Sequence, residues 1–171
     1  MPFQEGEVEA GQPVPNVERR EGETTEDYLR RLEESGEYLF HGSSQKIDEL
    51  EPRDPVADAS DNPDNKRVAV YAFSSPALAT QFAIIQSKHD VKEDWNIIGG
   101  TDSENSDRPL LRTTPNLKLG KGYVHVLPRQ QFTLTEGYQW ICEKPIRPIE
   151  AVEVDPEIYG KLGGEHRTIK G

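Results

Sequence analysis

The residues of this chain best suited to hold a polar small molecule lie between residues 37 and 44, which read Glu-Tyr-Leu-Phe-His-Gly-Ser-Ser. The short apolar and aromatic run over 38–40 predicts a buried strand. His41 follows this run directly, so its imidazole is expected where the strand leaves the core. Gly42 has no Cβ and would allow a ligand to approach the backbone closely. The stretch therefore predicts a polar binding site at a strand end.

Two aromatic residues of a later segment are candidates for contact with a flat ligand. Residues 68–73 are rich in branched and aromatic side chains and predict a strand that contains Tyr71. Residues 77–87 predict a helix that contains Phe82. Aromatic rings at such positions either fill a core or stack on a ligand, and the sequence leaves both interpretations open.

The start and the buried face of that helix can also be predicted. Ser75 and Pro76 are typical of an N-cap and a first helical turn. Leu78, Phe82 and Ile85 follow at helical spacing, and we expect them to share the face that packs on the core.

Two polar residues of the last third, Gln139 and Glu143, could contribute to the same chemistry. Residues 138–142 predict a strand. Because side chains alternate along a strand, the even spacing places Gln139 and Glu143 on the same face. Glu143 would supply a carboxylate there, whereas Gln139 would supply a neutral amide.

The rest of the pattern predicts the elements that must position these residues. Thr24 is a good N-cap for a short helix that ends at Gly36. Further strands are predicted at 123–127, 131–134 and 149–154, and the irregular segment 88–121 has weaker strand signals at 95–98 and 110–113. Strands interrupted by two helices, without regular alternation, predict an α+β fold. Residues 1–23 predict a disordered acidic leader, and residues 24–171 a single domain.

Put together, the His41-Gly42-Ser43 strand end and the later strand with Tyr71 resemble the first two signature elements of the ADP-ribosyltransferase superfamily. The similarity is closest to its His-Tyr-Glu branch, the diphtheria-toxin and poly(ADP-ribose) polymerase type. Phe82 lies eleven positions after Tyr71, where polymerase-like members carry a second aromatic residue. The resemblance extends over roughly residues 38–154.

The resemblance implies a split core of two small antiparallel sheets with flanking helices, and NAD bound as a substrate in the cleft between the sheets. By that analogy, His41 would bond the ribose on the adenine side. The backbone of Gly42 would hold the nicotinamide amide, and Ser43 would support it. Tyr71 and Phe82 would stack on the nicotinamide ring.

Two further positions follow from the resemblance. Arg53 is the cation expected near the pyrophosphate, because a guanidinium suits phosphate oxygens, although it could equally pair with Asp48 or Asp54 on the surface. The family places a glutamate on a late strand, where it bonds the nicotinamide-ribose hydroxyl and stabilises an oxocarbenium-like transition state. Gln139 aligns with that position and Glu143 is the nearby carboxylate, so either residue could fill it.

The implied activity is a toxin-like, NAD-dependent ADP-ribosyl transfer that releases nicotinamide. The acceptor is open between protein, nucleic acid and small molecule. A second hypothesis is a module that binds NAD or ADP-ribose in the same cleft without chemistry. A third is an RNA 2′-phosphotransferase-like enzyme, which should need several basic residues; Arg53, Arg67 and Arg112 are the candidates.

Charge and composition limit the partners. The net charge is −11, and residues 1–37 hold eleven acidic and four basic side chains, so residues 38–171 carry only −4. A basic surface for a phosphate backbone is not visible, and a nucleic-acid acceptor is therefore not indicated by charge. There is no long apolar run and no signal-peptide pattern, so we expect no membrane contact and a cytoplasmic protein, or one delivered elsewhere if it is a toxin or effector.

The single cysteine and the remaining histidines give no metal signal. Cys142 is alone, which excludes an intrachain disulfide and favours a small buried side chain. His89, His125 and His166 are too scattered for a zinc site. His125 alternates with two valines and is expected to face solvent or a wet cleft.

Overall fold

A computed structural model describes residues 18–52, 68–85, 97–98, 101–102, 108–115, 117–136 and 139–168. The helices are α1 (Thr25–Ser35), α2 (Pro76–Ile84) and α3 (Pro156–Lys161), with one turn of 3-10 helix at Arg129–Gln131. The strands are β1 (Tyr38–Ser43), β2 (Val70–Ala72), β3 (Ile97–Ile98), β4 (Thr101–Asp102), β5 (Arg108–Thr113), β6 (Gly122–Pro128), β7 (Thr133–Leu134), β8 (Trp140–Cys142), β9 (Glu150–Val154) and β10 (Glu165–Thr168).

The strands form small sheets, and the fold is α+β. Two sheets are antiparallel and three-stranded, with the orders β1-β6-β9 and β2-β8-β7. They meet where Phe40 and Phe73 exchange two backbone hydrogen bonds of 2.7 Å. A third sheet has the order β10-β5-β3, with β10 parallel to β5 and β4 also paired with β5.

Helix α1 confirms the sequence prediction, because its ends are determined by local residues. The Thr24 side chain accepts a hydrogen bond from the amide of Asp27, and Gly36 adopts a left-handed conformation with φ 73° at the C-cap. Residues 18–23, which belong to the predicted leader, are described and contact this helix through an ion pair of 2.9 Å between Glu23 and Arg31. Residues 1–17 lie outside the described part of the chain.

Helix α2 begins as predicted, but one residue of its predicted buried face is exposed. The Ser75 hydroxyl accepts from the amide of Leu78, and Pro76 occupies the first turn. The buried residues of the helix include Ala79 and Ala83, whereas Phe82 is 40% exposed. Of the predicted face, Ile85 is buried just past the end of the helix and Leu78 is half-buried, so the prediction is wrong for Phe82, whose aromatic ring lies outside.

The small residues of α2 meet two glycines of the first sheet. A Cβ on Gly42 would lie 1.8 Å from the carbonyl oxygen of Ala79, and one on Gly122 would lie 1.8 Å from that of Ala83. The expectation that Gly42 leaves room for a ligand is thus corrected on this face, because the helix backbone takes the space of the missing Cβ. Glycine is required there for close helix–sheet packing.

Two hydrophobic clusters lie on opposite faces of the first sheet. Phe40, Val124 and Val126 belong to the cluster beneath α1 and α2. Leu39 and Leu127 belong to the other cluster, which lies between this sheet and β2-β8-β7. Both faces of β1 and β6 are therefore covered.

The C-terminal third contains two elements beyond the predicted strands. Asp155 caps α3 by accepting from the amide of Ile158 at 2.8 Å, and β10 then adds to the third sheet. Cys142 is buried on β8, as expected. Within the described ranges, no helix has both the length and the apolar character to cross a membrane.

Candidate functional site

His41 lies at the junction of the two antiparallel sheets. Its Nδ1 is 2.8 Å from the backbone carbonyl oxygen of Tyr71, and the residue is half-buried. A carbonyl oxygen only accepts, so Nδ1 carries the proton, and in the neutral ring Nε2 carries the lone pair. The strand end predicted from the sequence and the strand with Tyr71 are therefore in direct contact, although they are thirty residues apart in the chain.

His125 lies opposite His41 in the register of β1 and β6, and the two rings meet edge to face with centroids 6.1 Å apart. Its side chain is 0% exposed, so the expectation that it faces solvent or a wet cleft is wrong. That expectation took alternation with valine to mean an outer face, whereas both faces of this sheet are covered. Burial lowers the pKa of His125 to about 4, so the ring is neutral at pH 7.

Residues 44–50, which we call the strap, leave β1 and run across the face that carries His41 and His125. Within the turn at its start, the amide of Gln45 donates to the Ser43 hydroxyl at 3.2 Å. The amide of Ile47 donates to His125 Nε2 at 2.9 Å. At the end of the strap, Leu50 exchanges backbone hydrogen bonds of 2.8 and 2.9 Å with Ile146. The strap thus covers the second cluster and borders His41.

The aromatic residues of β2 and α2 form a second feature of the junction. It lies on the α2 side, because Phe73 packs against the cluster beneath α1 and α2, whereas the His41 side chain shares the other face of the sheet with His125. The rings of Phe73 and Phe82 are stacked, with centroids 5.4 Å apart and an interplanar angle of 19°. Tyr71 alternates with Val70 and Ala72, which belong to the second cluster, so its side chain faces the same side as Phe73. The sequence did not single out Phe73, although its position two residues after Tyr71 on a predicted strand was the available signal.

The register of β2 and β8 distinguishes the two candidates for the third signature. Tyr71 pairs with Ile141 and Ala72 with Trp140, so Gln139 continues the strand toward Phe73. Phe73 is the residue that bonds Phe40, next to His41. The backbone of Gln139 is held by two hydrogen bonds to Thr135. The Gln139 backbone amide donates to the Thr135 hydroxyl at 3.1 Å, and the Gln139 backbone carbonyl accepts from the Thr135 amide at 2.8 Å.

Glu143 lies at the other end of β8. It is exposed and follows the last strand residue, Cys142, which pairs with Val70. At about 3.3 Å per residue, Gln139 and Glu143 are separated by roughly 13 Å along the chain. Of these two residues, Gln139 therefore follows the end of β8 that lies nearer to the junction.

Three further observations concern the expected pyrophosphate cation, a cavity elsewhere on the surface and metal binding. Arg53, the expected pyrophosphate cation, lies outside the described residues. A shallow cavity of about 370 Å³ lies at the opposite end of β1. There, the central carbon of the Arg129 guanidinium lies 4.6 Å from the centroid of the Trp140 ring. Among the residues that the structure describes, no group of three or more His, Cys, Asp or Glu is arranged to hold a metal ion.

Comparisons with protein-family models, with curated proteins and with solved structures found no match to this chain. The site is therefore interpreted from its own geometry.

Proposed function

We propose that this chain is an NAD-dependent ADP-ribosyltransferase with its site at the junction of β1 and β2. The observation that carries the proposal is the hydrogen bond of 2.8 Å between His41 Nδ1 and the carbonyl of Tyr71. It joins the two segments whose residues resemble the first two signatures of that superfamily. It also fixes the tautomer that leaves the lone pair on Nε2, which suits acceptance of a hydrogen bond from a ribose hydroxyl.

The aromatic stack supports the same proposal. Phe82 is one of only three large apolar side chains exposed among the described residues, and it is stacked on Phe73. An exposed, pre-stacked ring offers a flat surface to another flat ring, and base–aromatic stacking contributes about 1–3 kcal/mol in comparable sites. In this proposal the nicotinamide ring of NAD stacks on that surface, as the resemblance implies.

The proposed reaction breaks the bond between the nicotinamide nitrogen and the ribose carbon. The electron pair leaves with nicotinamide, and the ribose develops oxocarbenium character. A nucleophile of the acceptor then forms the new bond to that carbon and releases its proton. By the resemblance, Gln139 would bond a ribose hydroxyl, but its amide supplies no negative charge to the developing cation, and such charge is often a large contribution to catalysis.

A direct test uses the whole chain and NAD labelled separately in the nicotinamide and in the adenylate. Calorimetry should show binding, and the enzyme should release labelled nicotinamide faster than the buffer alone. Transfer of the adenylate label to a candidate protein, nucleic acid or small molecule would then identify the acceptor. Absence of NAD binding would overturn the proposal.

A second candidate function is a module that binds NAD or ADP-ribose without cleaving it. The register that places Gln139, and not Glu143, nearer to His41 favours this candidate. NAD binding without nicotinamide release would select it over the enzyme.

The RNA 2′-phosphotransferase-like alternative has weaker support. Arg53 and Arg67 lie outside the described residues. Arg112 lies on β5 in the third sheet and not at the junction. The residues described at the junction thus do not supply the several cations that a phosphate-gripping site needs.

A further inference from the structure

His125 is a buried histidine with both ring nitrogens used. Nε2 accepts the amide of Ile47 at 2.9 Å, so it must carry the lone pair. Nδ1 therefore carries the proton and donates to the backbone carbonyl of His41 at 3.1 Å. A single neutral tautomer satisfies both contacts, and a leucine of similar volume would satisfy neither.

These two bonds connect the strand that carries His41 to the strap over it. His125 lies on β6, the central strand of the first sheet, so its ring is held by a rigid element. At its far end, the strap is bonded to Ile146, beyond β8 of the second sheet. The imidazole of His125 is thus the point at which the sheet holds both the backbone of His41 and the middle of the strap.

We infer that His125 is a positioning residue for NAD binding: it keeps His41 and the strap in the geometry that admits the dinucleotide, without touching it. This inference rests on the proposed function. A merely space-filling role would require only the volume of the ring. The hydrogen-bond pattern instead requires one donor and one acceptor at fixed positions, which only a neutral imidazole supplies here.

Protonation would break this arrangement. An imidazolium has no acceptor, so Nε2–H would oppose the Ile47 N–H and the strap would be released. The groups whose charge acts on this ring are His41, opposite it in register, and Lys46 on the strap. Tyr123 and Glu153 lie on the same face, one row further along the sheet.

Two amide variants separate the two contacts. His125→Asn places an amide near Nδ1 and keeps the donor to His41, whereas His125→Gln reaches the position of Nε2 and keeps an acceptor for Ile47. We expect hydrogen exchange at the Ile47 amide to accelerate at least tenfold in the Asn variant and much less in the Gln variant. NAD affinity, measured by calorimetry, should fall about tenfold or more in both. His166→Asn, the same change on an exposed histidine bonded to Thr113, should leave NAD affinity unchanged.

The pH profile of NAD binding gives a second readout, and in the unaltered chain this profile does not depend on how the variants fold. NAD affinity should decline as pH falls from 6 toward 4 while circular dichroism still reports a folded chain, and both amide variants should lack that step. If the unaltered chain binds no NAD, the proposed function is overturned and this inference with it. If it binds NAD and the variants bind equally well, with the same acid step, the inference alone is overturned.

Discussion

The imidazole of His41 donates to the backbone carbonyl of Tyr71 across 2.8 Å, and this bond spans the gap between the two antiparallel sheets. Beside it, Phe40 and Phe73 exchange two backbone bonds. Beyond that pair, β1 and β2 form separate sheets with different partners. These bonds join the two sheets at the junction and help to position the residues on either side of it.

Replacement of Phe82 by Ala should weaken NAD binding without unfolding the chain. The ring is 40% exposed and stacks on Phe73, so its removal costs little core packing. Loss of a base–aromatic stack of about 1–3 kcal/mol corresponds to roughly a 5- to 150-fold rise in Kd. Calorimetry with NAD measures this change.

Leu134 provides the matched control for Phe82. It is another exposed apolar side chain, 45% accessible, on β7 at the edge of the second sheet. Leu134→Ala should leave the Kd for NAD unchanged. An equal loss of affinity in both variants would mean that the effect is not one of stacking.

Gly42→Ala should destabilise the fold by about 1–3 kcal/mol or more, because the new methyl group would lie 1.8 Å from the Ala79 carbonyl oxygen. The backbone of α2 would have to move away from the sheet. The free energy of unfolding in urea measures this cost. The loss should occur with or without NAD, because it arises from packing.

Gly160 is the control for that substitution. It lies within α3, and a Cβ there would have no atom within 4 Å. Gly160→Ala should stabilise the chain by about 0.5–1 kcal/mol, since alanine is the better helix former. If Gly42→Ala were as stable as the unaltered chain, the close approach of α2 to the sheet would be refuted.

The sequence predicted those parts of the fold that depend on neighbouring residues. Thr24 and Gly36 determine the ends of α1 through bonds within one turn, and Ser75 does the same at the start of α2. The buried face of α2 was not predictable in this way. The pairing of Ala79 with Gly42 depends on two segments that meet only in the folded chain.

The binding role of the candidate site stays a prediction, and the structure shows only which of its residues lie together. Its residue types identified His41, Tyr71 and Phe82, and the structure brings the first two into contact. The place of His125 could not be predicted, because it depends on the register of β6 against β1 and on the strap that covers it. The order of Gln139 and Glu143 relative to His41 depends in the same way on the register of β8 against β2.

Stability should fall as pH decreases from about 6.5 to about 4, because burial lowers the pKa of His125 from 6.5 to about 4. Over this window the unfolded chain binds a proton that the folded chain excludes, so the stabilisation present above pH 6.5 is lost toward pH 4. The loss should be on the order of 3 kcal/mol. Urea unfolding at several pH values measures it.

Two comparisons separate this effect from other titrations. His125→Asn should be less stable at pH 7 and should show a flatter dependence between pH 6.5 and 4. The Glu23 carboxyl, whose pKa the Arg31 hydrogen bond lowers to about 2, contributes stability above pH 4.5 that is lost only as pH falls further toward 2. An unchanged slope between pH 6.5 and 4 in the Asn variant would assign the transition to another group.

Gln139→Glu should raise the rate of nicotinamide release. A carboxylate in place of the amide would put negative charge at the end of β8 nearer to Phe73 and His41. Removal of one preorganised electrostatic contact typically costs a factor of about 100–1,000 in rate, so its introduction should give a gain of up to that size.

Glu143→Gln should change the rate little, because this exposed carboxylate follows the far end of β8. Nicotinamide release under saturating NAD measures both variants. If Glu143→Gln abolished release while Gln139→Glu left it unchanged, the catalytic carboxylate would be Glu143, and the junction would have to rearrange to bring it to the ribose.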